Sequence, residues 1–522
     1  MKGTQLRSFV SGDWHAGRGQ AIELLNPATE EVLATTSTEG LDFAAALEHA
    51  RTVGGPRLRA LGFAGRAERL RAMYEALYAR RDELLELSIA NGGNTRGDAK
   101  FDVDGATSTL LAYAEYGAAL GEESFLTDGE MVQLGRTPRY AGRHLLTPLQ
   151  GAAVHINAYN FPAWGLAEKA AVALLAGMPV VTKPATSTAL LAHRMIEIIV
   201  EAGMWPDGAL SFIAGPIGSL LDHLGPQDVL AFTGSGATAA RLRRTAAHAE
   251  RSTRINVEAD SLNAAVLGAD VEAGAETWQL MLNEIVTDVR QKAGQKCTAI
   301  RRVLVPGARL EVCVEALAER VNAVIVGNPA EEPVRMGPLV SRDQLEDVRA
   351  GVVAIGAEAT RVTGDPAPRG LHRVDDGRGF FVTPFLFRCD DAQGARIIHD
   401  REVFGPVVTV MPYDSTEGAV AMCARGGGAL VSSVYSDDRK LARELLLALA
   451  PHHGRLTLGT AKVSGISPGP GTVLPALVHG GPGRAGGGEE LGGLRGLSFY
   501  MQRTAVQGYE PLIGKFFNPG GG

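Results

Sequence analysis

Between residues 151 and 248, short apolar or β-branched runs alternate with longer stretches of helical character. That rhythm restricts the chain to a parallel sheet flanked by helices. The runs fall at 151–157, 179–183, 210–214 and 228–233, and most lead into helical stretches at 163–176, 188–202 and 238–248. After 228–233 the chain reads Thr233-Gly234-Ser235-Gly236, which puts glycines and a hydroxyl at the start of the next helix. Free N–H groups at such a start would suit a phosphate.

A second α/β block follows Glu258, with apolar runs at 264–267, 299–305 and 407–411 and helices around 309–325 and 438–449. At 522 residues, more than one core is expected. Residues 129–149 read as a hairpin inserted between parts of the first block, and with 497–508 they would form an oligomerisation arm. The run 480–488 is too rich in glycine for a regular element.

Several functional classes are excluded by composition. The net charge is −7, so nucleic-acid binding through bulk charge is not expected. No apolar run reaches the length of a membrane span, and Met1-Lys2-Gly3-Thr4-Gln5 leads into mixed-polarity sequence without a signal-peptide core. A cytoplasmic protein is expected. Cys297, Cys313, Cys389 and Cys423 are scattered, with neither a disulfide framework nor a zinc-ligand spacing, and Cys313 sits in a helical pattern that suits core packing.

Cys297 stands apart in Gly294-Gln295-Lys296-Cys297-Thr298. Upstream, Glu258 closes the apolar run Ile255-Asn256-Val257, and Asn160 lies in Tyr159-Asn160-Phe161-Pro162 directly after the first strand-like run. A thiol, an isolated carboxylate and an amide point to covalent catalysis followed by hydrolysis. The thiolate would attack a carbonyl, and the Asn160 amide with the Cys297 backbone N–H would hold the oxyanion. Hydride leaves such an adduct far more readily than a free aldehyde. Glu258 would then activate water, a task that favours a carboxylate whose pKa is raised by partial burial. Lys296 could lower the thiol pKa if its side chain points the same way. A cysteine hydrolase would need a histidine paired with the thiol, and no sequence feature ties one to Cys297.

Together with Glu402-Val403-Phe404-Gly405-Pro406, these motifs resemble the aldehyde dehydrogenase superfamily over nearly the whole chain. The resemblance implies an α/β fold with a Rossmann-like dinucleotide-binding domain at 1–128 and 150–258. It implies a catalytic domain at 259–465 and a β-arm at 129–149 and 495–515 that builds a homodimer or homotetramer. It also implies a nicotinamide cofactor and no metal. Lys183, in Val180-Val181-Thr182-Lys183-Pro184-Ala185, resembles the lysine that reaches the adenosine ribose; Gly234 and Ser235 resemble the pyrophosphate contacts. Glu402 and Phe404 resemble the contacts to the nicotinamide ribose and ring, and Ile156, Asn157, Ala185 and Gly215 fall in the same cofactor set. Gly234 to Ala239 also fits a loose G-x-G-x-x-A pattern, but at a later strand, and Glu258 is better used as the base than as its ribose carboxylate.

Departures from the family pattern narrow the reading. Thr186 stands where NAD-preferring relatives place a glutamate that would repel a 2′-phosphate, which favours NADP over NAD; alternatively, Thr186 caps a helix beginning at Ser187. Enzymes that release the acyl group to coenzyme A generally lack the base, so Glu258 implies a free carboxylate product. Glu258-Ala259-Asp260-Ser261-Leu262-Asn263 replaces the Glu-Leu-Gly-Gly-Lys of many relatives. With Leu477-Val478-His479-Gly480-Gly481, it resembles a narrow group that oxidises ring-opened, CoA-linked semialdehydes in aromatic (benzoate) catabolism. One branch of that group carries a C-terminal hydratase-like domain; here only Asn518-Pro519-Gly520-Gly521-Gly522 follows Phe517, so a stand-alone form is expected. His479 would either orient the aldehyde or serve as a structural hydrogen-bond partner beside the glycine loop. Two other functions stay open: an aldehyde dehydrogenase of broader specificity acting on free aldehydes, and a non-catalytic binding protein on the same fold.

Overall fold

The computed structural model describes residues 3–517; the stretch 518–522 lies outside them. Two seven-stranded sheets organise the chain. In the first, Arg254–Glu258, Val229–Thr233, Ala153–Ile156, Val180–Lys183 and Leu210–Phe212 lie side by side and parallel, in that order. An antiparallel hairpin from the start of the chain, Ser8–Val10 and Asp13–His15, extends the edge next to Leu210–Phe212. The second sheet runs Thr360–Thr363, Phe385–Arg388, Val407–Tyr413, Arg302–Pro306, Ala264–Leu267, Ala429–Tyr435, His453–Gly459, and only its first strand is antiparallel. Both sheets are covered on two faces, so central strands such as Ala153–Ile156 and Ala264–Leu267 are buried at every position.

The alternating rhythm of the sequence therefore appears as expected, with element ends shifted by a few residues. One helix differs. The stretch 238–248 is broken into Gly236–Leu242 and Ala246–Ala249. Thr245 adopts an extended conformation between them and donates its hydroxyl to the Leu242 carbonyl, ending the first turn set. The glycine-rich run is the turn of a small antiparallel pair, Val478–Gly480 with Glu489–Leu491, in which His479 lies opposite Glu490. A third, antiparallel sheet joins Leu126–Gln133, Tyr140–Pro148 and Met501–Tyr509, with nine residue pairs between the last two.

The helix Trp164–Ala176 is buried at every residue but Gly165 and packs between the first sheet and the long helix Arg96–Leu120. Apart from Glu168 and Lys169, which pair with each other, its side chains are apolar all round, as an interior helix requires. Its start is fixed from outside: the Trp164 and Ala163 N–H groups donate to the buried Asp102 carboxylate at 2.8 and 3.4 Å. This supplies the N-terminal partners that the helix itself lacks. It also anchors the preceding loop, which carries Asn160. Gly105 makes the helix crossing possible, because a Cβ there would lie 2.2 Å from the Trp164 ring. The indole N–H in turn donates to Thr109 Oγ1 at 3.1 Å. Gly105→Ala is expected to lower stability by roughly 1–3 kcal/mol through overpacking, read as a fall in the thermal unfolding midpoint. An unchanged midpoint would show that the crossing tolerates a methyl group.

Candidate active site

The functional side chains gather where strands of the two sheets end. Glu258 is the last residue of Arg254–Glu258, and Asn160 follows Ala153–Ile156. Ligand sites in open parallel sheets lie at such carboxyl ends. Cys297 comes from a loop of the second block in which Lys292, Ala293 and Gly294 all have left-handed backbones, with φ of 54°, 51° and 67°. Only glycine fits at 294: a Cβ would meet the Gly405 carbonyl oxygen at 2.3 Å. Asn263 fastens the loop further, its amide donating to the Cys297 and Ala299 carbonyls at 2.8 and 2.9 Å, while its own oxygen accepts from Ser261 at 2.5 Å.

Asn160, Glu258, Cys297 and His479 line one cavity of about 470 Å³, walled by Phe101, Phe161 and Trp164. The reactive atoms of Glu258, Cys297 and His479 all lie within 4.8 Å of one another. Neither the Asn160 amide nor the Cys297 backbone N–H has a hydrogen-bond partner among the described residues, so both are free to hold an oxyanion.

The electrostatics differ from expectation in three respects. Glu258 is buried, and burial pushes its carboxyl up; the His479 imidazolium, with Nε2 3.1 Å from Glu258 Oε1, and then the Lys169 ammonium outweigh this and hold it at about 2. The expected upward shift is thus reversed, because the pocket supplies charge as well as apolar surface. The contact is close but off the hydrogen-bonding line, leaving Glu258 Oε1 without an aligned donor; Oε2 accepts from Thr233 Oγ1 at 3.3 Å. Nδ1 of His479 is buried without a hydrogen-bond partner among the described residues, while Nε2 faces Glu258. Burial lowers its pKa, and the Glu258 charge raises it above the ordinary value.

Second, Lys296 points away from the thiol. Its ammonium is buried against Asp288 at 2.6 Å and Gln291 at 2.7 Å. Cys297 instead feels burial and then the Glu258 charge, which together push its thiol well above its ordinary value. The resting group is therefore a thiol beside a carboxylate, and its proton would move to Glu258 only as the sulfur attacks. Third, the helix start after Gly234 is partly filled by the protein itself: Asp260 accepts from the Gly236 N–H at 2.8 Å and Ser235 Oγ from the Thr238 N–H at 3.3 Å.

A further charged group lies behind Glu258 and was not visible in the sequence. Lys169 is buried between Glu168 at 3.1 Å and Glu490 at 3.0 Å. Burial, then the partial relief by Lys169, leaves Glu490 at about 7. The positions come from a helix and the small hairpin, 321 residues apart, so no local motif joins them.

Residues matching the cofactor set lie along the same strand ends. Lys183 closes Val180–Lys183, and burial without a carboxylate partner lowers it to about 8. Asn157 donates to Thr182 Oγ1 at 3.0 Å and keeps its carbonyl oxygen buried without a partner. Thr186 opens the turn Thr186–Thr188, and the following helix starts at Ala189 with Thr188 at its cap position, so Thr186 does not cap a helix at Ser187. Ile156 ends Ala153–Ile156 and Gly215 follows Leu210–Phe212, the strands on either side of Val180–Lys183, and Ala185 directly precedes Thr186. Glu402 is held on both oxygens, by Arg301 at 3.3 Å and the Ser261 N–H at 2.9 Å, and burial raises it to about 7. The Arg301 guanidinium lies over the Phe404 ring at 5.4 Å. Unpartnered Lys183 and Asn157 Oδ1 are what a dinucleotide would satisfy, so the residues present fit such a cofactor.

The chain belongs to the aldehyde dehydrogenase family, whose model matches residues 14–506, and it is an NAD(P)-dependent aldehyde dehydrogenase by that membership. It is 46% identical over 478 residues to 3,4-dehydroadipyl-CoA semialdehyde dehydrogenase of Aromatoleum evansii, covering 92% of this chain and 93% of the relative. Lactaldehyde dehydrogenase of Escherichia coli is 28% identical over 84% of this chain and 88% of its own. The NAD+ complex of an aldehyde dehydrogenase from Bacillus cereus superposes with a TM-score of 0.84 at 25% identity, covering 97% of each chain.

His479→Phe would remove the cation that holds the Glu258 carboxyl down while leaving it buried. The Glu258 pKa is then expected to rise, so the base is lost to protonation sooner as pH falls. The acid limb of the kcat–pH profile should move to higher pH. A histidine that merely oriented the aldehyde would change KM and leave the limb in place.

Proposed function

We propose that this chain oxidises a CoA-linked semialdehyde to the carboxylic acid with NADP, through a thioester on Cys297. The observation that carries the chemistry is the meeting of Cys297, Glu258 and Asn160 in one cavity. The substrate follows the relative with which the chain shares 46% identity, whose name specifies 3,4-dehydroadipyl-CoA semialdehyde.

In this reading the Cys297 sulfur bonds to the aldehyde carbon as its proton passes to Glu258. The Asn160 amide and Cys297 N–H receive the oxyanion. A nicotinamide held at the strand ends of the first sheet would supply the hydride acceptor. Once that proton has passed to solvent, Glu258 takes another from the water that attacks the thioester, and the C–S bond breaks as this proton returns to the Cys297 sulfur, releasing the acid. His479 is a positioning residue that keeps Glu258 charged, and the Lys169, Glu168 and Glu490 cluster behind it buffers the charge.

The strand ends of the first sheet would carry the dinucleotide, with 1–128 and 150–258 as its domain and 259–465 supplying the nucleophile. NADP is favoured because Lys183 lacks a carboxylate partner and the Thr186 hydroxyl makes no bond to other described residues. The antiparallel sheet would be the arm joining copies, since Val132, Leu134, Tyr140 and Tyr509 leave large apolar surface exposed on it. A cytoplasmic homodimer or homotetramer is the corresponding assembly.

Turnover should be strongest with CoA-linked semialdehydes and NADP, and absent in Cys297→Ala. Glu258→Gln should lower turnover about 100-fold or more, slowing the burst of reduced cofactor as well because Cys297 loses its proton acceptor. Equal efficiency with free aldehydes would favour the broader-specificity reading. Thr186→Glu should shift preference towards NAD, measured as the ratio of kcat/KM for the two cofactors; an unmoved ratio would place 2′-phosphate recognition elsewhere.

A further inference from the structure

We infer that the phosphate-bearing tail of an acyl thioester substrate lies in a groove running from the Cys297 cavity to a cleft beside Lys100 and Arg290. The inference rests on the reading of the substrate as CoA-linked. Its basis is a series of three adjoining cavities. The catalytic cavity shares Phe101, Trp164 and Val473 with a second, of about 840 Å³. The second shares Gly97, Lys100 and Gln291 with a third, of about 1090 Å³. The three cavities therefore adjoin in series, each sharing wall residues with the next, from the thiol to the outer cleft.

Its lining changes along the way in the order such a ligand requires. The inner wall is aromatic, suited to the carbon chain that carries the aldehyde. The middle section pairs Leu474 and Pro475 with the hydroxyls of Ser108 and Thr472, a surface for an arm that is mostly methylene with a few amides. The outer cleft brings Arg96, Lys100, Arg290 and Arg335 together.

These four cations are not equivalent. Arg96 is paired with Glu86 at 2.8 Å and Asp82 at 3.2 Å, both outside the cleft. Arg335 donates to the carbonyls of Glu332 and Val334. Lys100 and Arg290 have no ion pair among the described residues. Three carboxylates also line the cleft, and they set its limits. Asp98 is buried and accepts from the Thr95 hydroxyl, while Glu331 and Glu332 stand on the opposite segment that includes Pro329. Part of the Arg290 charge acts on the buried Asp98, so the free positive charge at the junction is that of Lys100, which lines both cavities. A diphosphate or ribose phosphate arriving at the end of a long arm would meet it there.

The test is the double variant Lys100→Glu/Arg290→Glu in the full-length enzyme. KM for a CoA-linked semialdehyde should rise about tenfold or more, as expected for losing charge-assisted contacts. Turnover of a free medium-chain aldehyde should stay unchanged, which also shows that the variant is folded. Butanoyl-CoA, which carries the tail without an aldehyde, should bind the wild type in a salt-sensitive manner and bind the variant at least tenfold more weakly. Free ADP or inorganic phosphate binding as tightly as butanoyl-CoA would overturn the groove in favour of a simple anion site. So would an unchanged KM and an unchanged butanoyl-CoA affinity. If wild-type enzyme used free and CoA-linked aldehydes equally, the substrate reading would fall, and the butanoyl-CoA measurement would still decide the groove.

Discussion

The site depends on keeping a carboxylate charged where water is largely excluded. Glu258 is only 2% exposed, and an isolated carboxylate in that position would give up its charge to a proton. His479 on one side and Lys169 on the other prevent this. Lys169 needs Glu168 and Glu490 in turn, and Glu490 is tied to Asn256 on the strand that ends in Glu258. Removing Lys169 would leave both Glu168 and Glu490 buried without their ion-pair partner.

Delivery of His479 and Glu490 falls to the small hairpin. They face each other across its two strands, and its turn is fastened to the edge of the first sheet. The Ala259 N–H donates to the Ala485 carbonyl, the Gly488 N–H to the Val257 carbonyl, and the Glu489 N–H to Asn256 Oδ1. The glycines let backbone meet backbone there: a Cβ at 486 would lie 2.2 Å from the Val257 oxygen. A run that reads as loop sequence thus sets the charge facing Glu258.

Ser261, Asn263 and Arg301 do the equivalent for the nucleophile. The segment Asp260-Ser261-Leu262-Asn263 leaves the base and runs beneath the cysteine loop, so the same few residues bond to Gly236, Glu402 and Cys297. Its departure from the commoner family sequence is legible in the chain. That its polar groups hold Glu402 and the Cys297 loop is not, because the partners lie up to 141 residues away.

The sequence by itself determined the parallel sheets, through runs of buried-type residues at strand length, and its motifs singled out Cys297, Glu258 and Asn160, which the fold brings to one cavity. Those signals are local. The tertiary structure decided where charges meet. Lys296 follows from no rule of adjacency, since its neighbour Cys297 faces the cavity while it turns to Asp288. His479 reaches Glu258 only because a hairpin far along the chain closes over the edge strand. Electrostatic energy depends on distance in space and on the exclusion of water, and neither quantity is a property of a stretch of sequence.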